Sequence, residues 1–211
     1  MRTIARQLIF GSVLSAGIAA ARLAEHTPNV APVAAAALLA GSYFSWPLAL
    51  LVPLGGMLLS DAFIGFASLP ITLAVYGSFA LSAVIGRTLI NPRRAGRIAT
   101  ASLLSSASFY LITNAAVWKF SGMYPPGPAG LLLSYYFAIP FFRLTLLGDL
   151  AYTSVFFLAA ALGPALVRQV IPTDTYHSRR ASLTGAGKTP DVLPLTSGVE
   201  EAPVFPARRL G

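Results

Sequence analysis

The chain has 211 residues, 55% of them hydrophobic and 10% charged, with a mean hydropathy of +0.70, whereas a soluble domain carries about 25% charged residues. That balance excludes an ordinary soluble globule and indicates an all-α integral membrane protein with a single polytopic domain. The net charge of +8 lies in clusters between apolar blocks, as orientation signals do, so no nucleic-acid partner is expected, and the absence of cysteine removes disulfides, thiolate metal sites and cysteine nucleophiles.

The first predicted span runs from about Gln7 to Ala21 or Leu23, after Arg2 and Arg6. Small residues recur on it at four-residue spacing, Gly11, Ser15, Ala19 and Ser12, Ala16, Ala20, giving flat faces for close helix packing. Such a face serves internal packing or docking to a partner subunit. A basic start, an apolar run and Ala19-Ala20-Ala21 also imitate a secretory signal.

Prolines at Pro28 and Pro32 precede a second apolar run, Val33 to Phe44. At 1.5 Å per residue it falls short of a bilayer core of roughly 30 Å. Trp46-Pro47 then turns the chain into a third run, Leu48 to Phe66, interrupted by Gly55-Gly56, and a fourth spans Leu69 to about Leu89. A basic loop with Arg87, Arg93, Arg94 and Arg97 leads to a fifth span, Ile98 to Trp118.

Pro125, Pro126 and Pro128 break regular structure before a long apolar stretch that contains Pro140 and Arg143. We expect a short membrane-dipping or interfacial segment over Leu131–Ile139 and a sixth span from about Leu144 to Val167. The expected architecture is thus a six-transmembrane-helix bundle over residues 1–171. Residues 172–211, with five prolines, four glycines and nine mixed charges, read as a disordered cytoplasmic tail.

Basic residues favour the cytoplasmic side of short loops. Arg2 and Arg6, the Arg87–Arg97 loop, and Arg168, Arg179 and Arg180 all agree with six crossings of the inner (plasma) membrane and two cytoplasmic termini. If the second run fails to cross, that parity fails.

Asp61 and Asp149 are the only acids besides Glu25 in the first 171 residues, and both sit in apolar stretches. A carboxylate at mid-bilayer costs roughly 2.5–3.5 kcal/mol on insertion scales and is a functional candidate by default. In the six-span topology Asp61, Asn114, Trp118, Arg143, Asp149, Tyr152 and Asn29 all fall toward the outer face, where side chains from different helices can converge on a small molecule. Arg143 and Asp149 are about 240° apart round a helix, so Asp61 is the expected partner of Arg143. Each also has a purely structural reading: Asp61 as a cap near Gly65, Asn114 as a tie between helices, Tyr110 and Trp118 as interfacial anchors.

Catalytic chemistry is not legible. The string Ser182 to Thr189 approaches a phosphate-binding loop but has Ser182 at the first glycine position. His26 and His177, the only histidines, fall on opposite sides, so neither a metal site nor a serine–histidine pair is expected. We expect neither an enzyme nor a bound cofactor.

Several strings carry a resemblance: Thr27-Pro28-Asn29-Val30-Ala31-Pro32, Ser60-Asp61, Thr113-Asn114-Ala115-Ala116-Val117-Trp118, and Ile139-Pro140-Phe141-Phe142 with Gly148-Asp149-Leu150. With them, residues 7 to 170 resemble an uncharacterised bacterial family of membrane transport proteins. Its layout is similar to the substrate-binding subunits of energy-coupling-factor transporters. The resemblance implies six helices that capture a vitamin-like nutrient or other micronutrient from outside. It also implies partnership with membrane lipid, a membrane coupling subunit and ATP-hydrolysing subunits, with Gly11, Ser15 and Ala19 as the docking face. A non-transporting membrane scaffold and a stand-alone proton-coupled carrier are the alternative readings.

Overall fold

The structure is a computed structural model that describes residues 2–24, 30–90 and 94–170. These residues form six α-helices: α1 (Arg2–Leu23), α2 (Val33–Tyr43), α3 (Trp46–Ile64), α4 (Leu69–Leu89), α5 (Ala95–Phe120) and α6 (Pro128–Val170). The described residues contain no strand. The tail expected from residue 172 onward lies outside them.

Successive helices alternate in direction. Gln7 Oε1 accepts from Ser45 N–H at 3.2 Å, Ser15 Oγ donates to Val52 O at 2.9 Å, and Arg22 Nη1 donates to Ser60 Oγ at 2.7 Å. The offset between partners stays near 38 residues, so α1 and α3 run parallel. The chain between them must therefore travel back from the Arg22 end to the Gln7 end, and α2 makes that return. α4 descends beside α2, with Arg87 Nη1 donating to Phe44 O at 3.2 Å where α2 ends. α5 ascends, its Ser105 Oγ 2.6 Å from Ser82 Oγ and its Phe109 ring 5.0 Å from Phe79. α6 descends: Ser134 Oγ donates to Asn114 O and Ser106 Oγ donates to Asp149 Oδ2, pairing rising numbers on one helix with falling numbers on the other.

Two expectations are corrected. No separate dipping segment precedes the last helix, because α6 is continuous for 43 residues through Pro140, a length of about 65 Å. Pro140 lacks an N–H for Tyr136 O, but a proline inside a membrane helix is tolerated where neighbours supply alternative partners. Likewise α3 runs unbroken through Pro53, Gly55 and Gly56. Gly56 serves packing: a Cβ there would lie 2.7 Å from Ile18 Cβ and 2.9 Å from Ser15 O on α1.

α2 sits at the centre, touching α1, α3, α4 and α5. Its run Val33–Leu38, with Ala40 and Gly41, is buried, so the alanines are there to admit close neighbours. At its crossing with α4, a Cβ on Gly41 would overlap Ala83 O and one on Gly86 would overlap Leu38 O. The two backbones touch directly, and only glycine permits it.

The radial distribution of side chains is that of a protein in lipid. Phe63 is 78% exposed and Leu69 70%, while Ser60, Ser78, Ser82, Ser102, Ser105, Ser106, Ser134 and Thr153 are buried. Without water, buried hydroxyls must find protein acceptors. They do so on the carbonyl one turn back, as in Ser78 to Ala74 O and Ser82 to Ser78 O, or on each other. Helices α3, α4 and α6 through Gly163 are long and apolar enough to cross a membrane, and the apolar parts of α1 and α2 are shorter. The chain is thus membrane-associated.

Candidate functional site

At the Arg22 end of α1, the buried Asp61 carboxylate is fully engaged. Arg22 Nη2 lies 2.7 Å from Asp61 Oδ1, and Tyr76 Oη donates to Asp61 Oδ2 at 2.8 Å. Arg22 Nη1 also donates to Ser60 Oγ and contacts Met57 O and Sδ. The cation is therefore Arg22 and not Arg143, which is exposed on α6. This corrects the expected Asp61–Arg143 pair. The cap reading of Asp61 is also superseded: α3 ends at Gly65, with φ of 98° and its N–H on the Asp61 carbonyl at 2.8 Å, while the Asp61 side chain turns inward.

Asp149 is only 5% exposed. Ser106 Oγ donates to its Oδ2 at 2.6 Å, and among the described residues no cation is paired with it. Oδ1 makes no hydrogen bond to a described residue, and among those residues no fully buried side-chain oxygen lacks a partner, so Oδ1 is not fully buried. Asp149 also lines a cavity of about 230 Å³, with Arg22, Ala31, Val33, Met57, Val75, Phe79, Phe109 and Thr145. Each of the six helices, or the residues leading into it, contributes a wall. Gly148 brings α6 against Val30 just ahead of α2, where a Cβ would stand 3.1 Å from Val30 Cγ1.

A second recess of about 290 Å³ lies between α5 and α6, lined by Phe109, Tyr110, Thr113, Asn114, Ala138, Phe141, Phe142 and Thr145. It shares Phe109 and Thr145 with the first. Asn114 Nδ2 donates to Tyr110 O one turn back, and Tyr110 Oη donates to Tyr135 O at 2.7 Å. Trp118 lies one turn beyond and donates from Nε1 to Pro125 O at 3.1 Å, holding the turn before α6. Tyr152 packs near Phe156, with ring centroids 6.2 Å apart. Asn29 lies outside the described residues.

The predicted set thus divides. Asp149 lines the cavity and Asp61 borders it through Arg22. Asn114 faces the neighbouring recess, while Trp118, Tyr152 and Arg143 line neither. On α1, Gly11 and Ala19 are buried and Ser15 is half-buried; Gly11 and Ser15 meet Val52 of α3, and Ser12, Ala16 and Ala20 are exposed. Arg22, Tyr76, Ser106, Phe79 and Phe109 complete the site without having been singled out. The serines at 102, 105 and 106, one face of an apolar helix, are the sequence signal that a polar partner opposes them.

The sequence pattern of one family matches residues 2–170, from the start of α1 to the end of α6. The chain belongs to the family of unknown function DUF6580. The DUF6580 match takes in both aspartates and every cavity-lining residue, and stops where the predicted tail begins. No curated protein and no solved structure matches the chain.

Proposed function

We propose that this DUF6580 protein is a six-crossing membrane subunit that binds a small nutrient in the cavity beside Asp149 and serves its transport. The observation that carries the reading is the buried Asp149 carboxylate, which accepts from Ser106 through Oδ2 and lines the cavity. A buried charge without a cation is costly, and an intramembrane ionisable group of this kind marks a ligand or ion path.

The alternating helix directions agree with six crossings. The Gln7 end, where α4 ends and α5 begins, also carries Arg87, Arg94 and Arg97, so the positive-inside bias makes it the cytoplasmic end. The cavity then lies toward the outer face, as capture from outside requires. Partnership with a coupling subunit and ATP-hydrolysing subunits is what the likeness in layout to energy-coupling-factor substrate-binding subunits implies. Asp61 has a different role: with Arg22 and Tyr76 already on it, it positions Arg22 on the cavity wall.

The test is ligand retention by the full chain purified from membranes, read by mass spectrometry of co-purifying small molecules and proteins, for wild type and Asp149→Asn. A small molecule retained by wild type and lost in the variant is expected. Equal retention by both overturns the site. Wild-type protein at normal yield with no small molecule favours the scaffold reading.

A further inference from the structure

We infer that the cavity takes a small organic cation, an ammonium or quaternary ammonium compound; this rests on the proposed binding function and specifies its ligand class. The charges around the cavity give the sign. Arg22 and Asp61 neutralise one another at 2.7 Å, which leaves Asp149 as the carboxylate on the wall that no cation among the described residues compensates. Ser106 stabilises that carboxylate with one hydrogen bond but brings no charge. A ligand that carries its own positive charge supplies what the protein omits, and an anionic one would place two like charges in a poorly screened interior.

The remaining walls fit the same class. Phe79 and Phe109 meet at 5.0 Å between ring centroids, and both line the cavity; ring π-faces attract cations most strongly where water is excluded. The hydroxyl of Thr145 is already given to Phe141 O at 3.1 Å. A cavity of about 230 Å³ is below the usual range of roughly 300–1,000 Å³ for drug-sized ligands, so the cation is small.

The experiment uses the full chain in detergent and reads thermal unfolding and equilibrium binding with three probes: tetramethylammonium, acetate and tert-butanol. Tetramethylammonium is expected to raise the unfolding temperature of wild type while the other two do not. Asp149→Asn should bind it about a hundredfold more weakly, the scale set by removing one partner of a buried charge pair. If Asp149→Asn does not fold, the cavity-filling Thr145→Phe decides the matter: a tetramethylammonium response that survives it overturns the inference. A response retained in Asp149→Asn also overturns it. If acetate or tert-butanol acts as strongly as the cation, and the cavity-filling Thr145→Phe abolishes the effect, the cavity binds ligand but the cation class is wrong. If no probe acts, or all effects survive Thr145→Phe, both the class and the binding site are wrong.

Discussion

Replacing Arg22 by methionine tests whether the Arg22–Asp61 pair ties α1 to α3. The contact of 2.7 Å between Nη2 and Oδ1 puts the charge centres about 4 Å apart, worth about 4 kcal/mol at the effective dielectric of a protein near its surface. Desolvation of both groups offsets much of that in the intact pair, but removing one partner leaves the other charge buried, which typically costs 3–5 kcal/mol. Asp61 would keep only the Tyr76 hydroxyl, and a hydrogen bond to a charged group contributes about 1.5–3 kcal/mol. We therefore expect Arg22→Met to lose about 3 kcal/mol in SDS-induced unfolding from mixed micelles. The double variant Arg22→Met/Asp61→Leu should lose clearly less than the sum of the two single changes. A coupling energy of about 2 kcal/mol is expected. Additivity within about 0.5 kcal/mol, the range for independent sites, would refute the pairing and with it the parallel register of α1 and α3.

Tyr76→Phe should lose about 1.5–3 kcal/mol in the same unfolding assay, since it removes the second donor to Asp61. Gly86→Ala should destabilise by about 1–3 kcal/mol or more, because its Cβ would stand 2.8 Å from Leu38 Cα; Gly77→Ala, with nothing within 4 Å, should be neutral or slightly stabilising, and equal effects would refute the direct α2–α4 backbone contact. The chain has no cysteine, so single cysteines can be placed without background: those at Ala67 and Gly122 should label from outside and those at Ser45 and Gly96 only after permeabilisation. Labelling of Ser45 from outside would show that the segment holding α2 does not cross. Asp149→Asn should change unfolding by under about 1 kcal/mol while abolishing ligand retention, since the amide oxygen still accepts from Ser106.

Local pattern made the helices legible, and tertiary register hid their partners. Apolar block length located all six helices, because each must bury or present apolar surface along its whole run. It failed at Pro140 and Gly55-Gly56, since the usual breaking power of proline and glycine is overridden where neighbouring helices hold the backbone. Of the site, Asp149 and Asp61 were legible as charges in apolar surroundings. Arg22 was not: at the end of an apolar run it reads as a flank, and its role depends on a 38-residue offset between α1 and α3 that no local spacing encodes. Arg143 was the nearer candidate in the topology, yet its position on the exposed side of α6 keeps it from the interior.

The shortness of α2 has a structural use. Its 11 residues rise about 16 Å, whereas α1 and α3 stay in register from Gln7 to Arg22, about 22 Å apart along a helix. Among the described residues the return journey is helical over Val33–Tyr43, the part nearest the Gln7 end, where alanines and glycine let the neighbouring helices close in. The described residues just ahead of Val33, 30–32, are not helical, and the cavity opens there, lined by Ala31 and Val33. A full-length second helix would occupy this space with its own side chains and bury Asp149 against them. Pro32, immediately ahead of α2, disfavours the helical conformation at the residue before it, and so helps to keep the cavity beside Asp149 open.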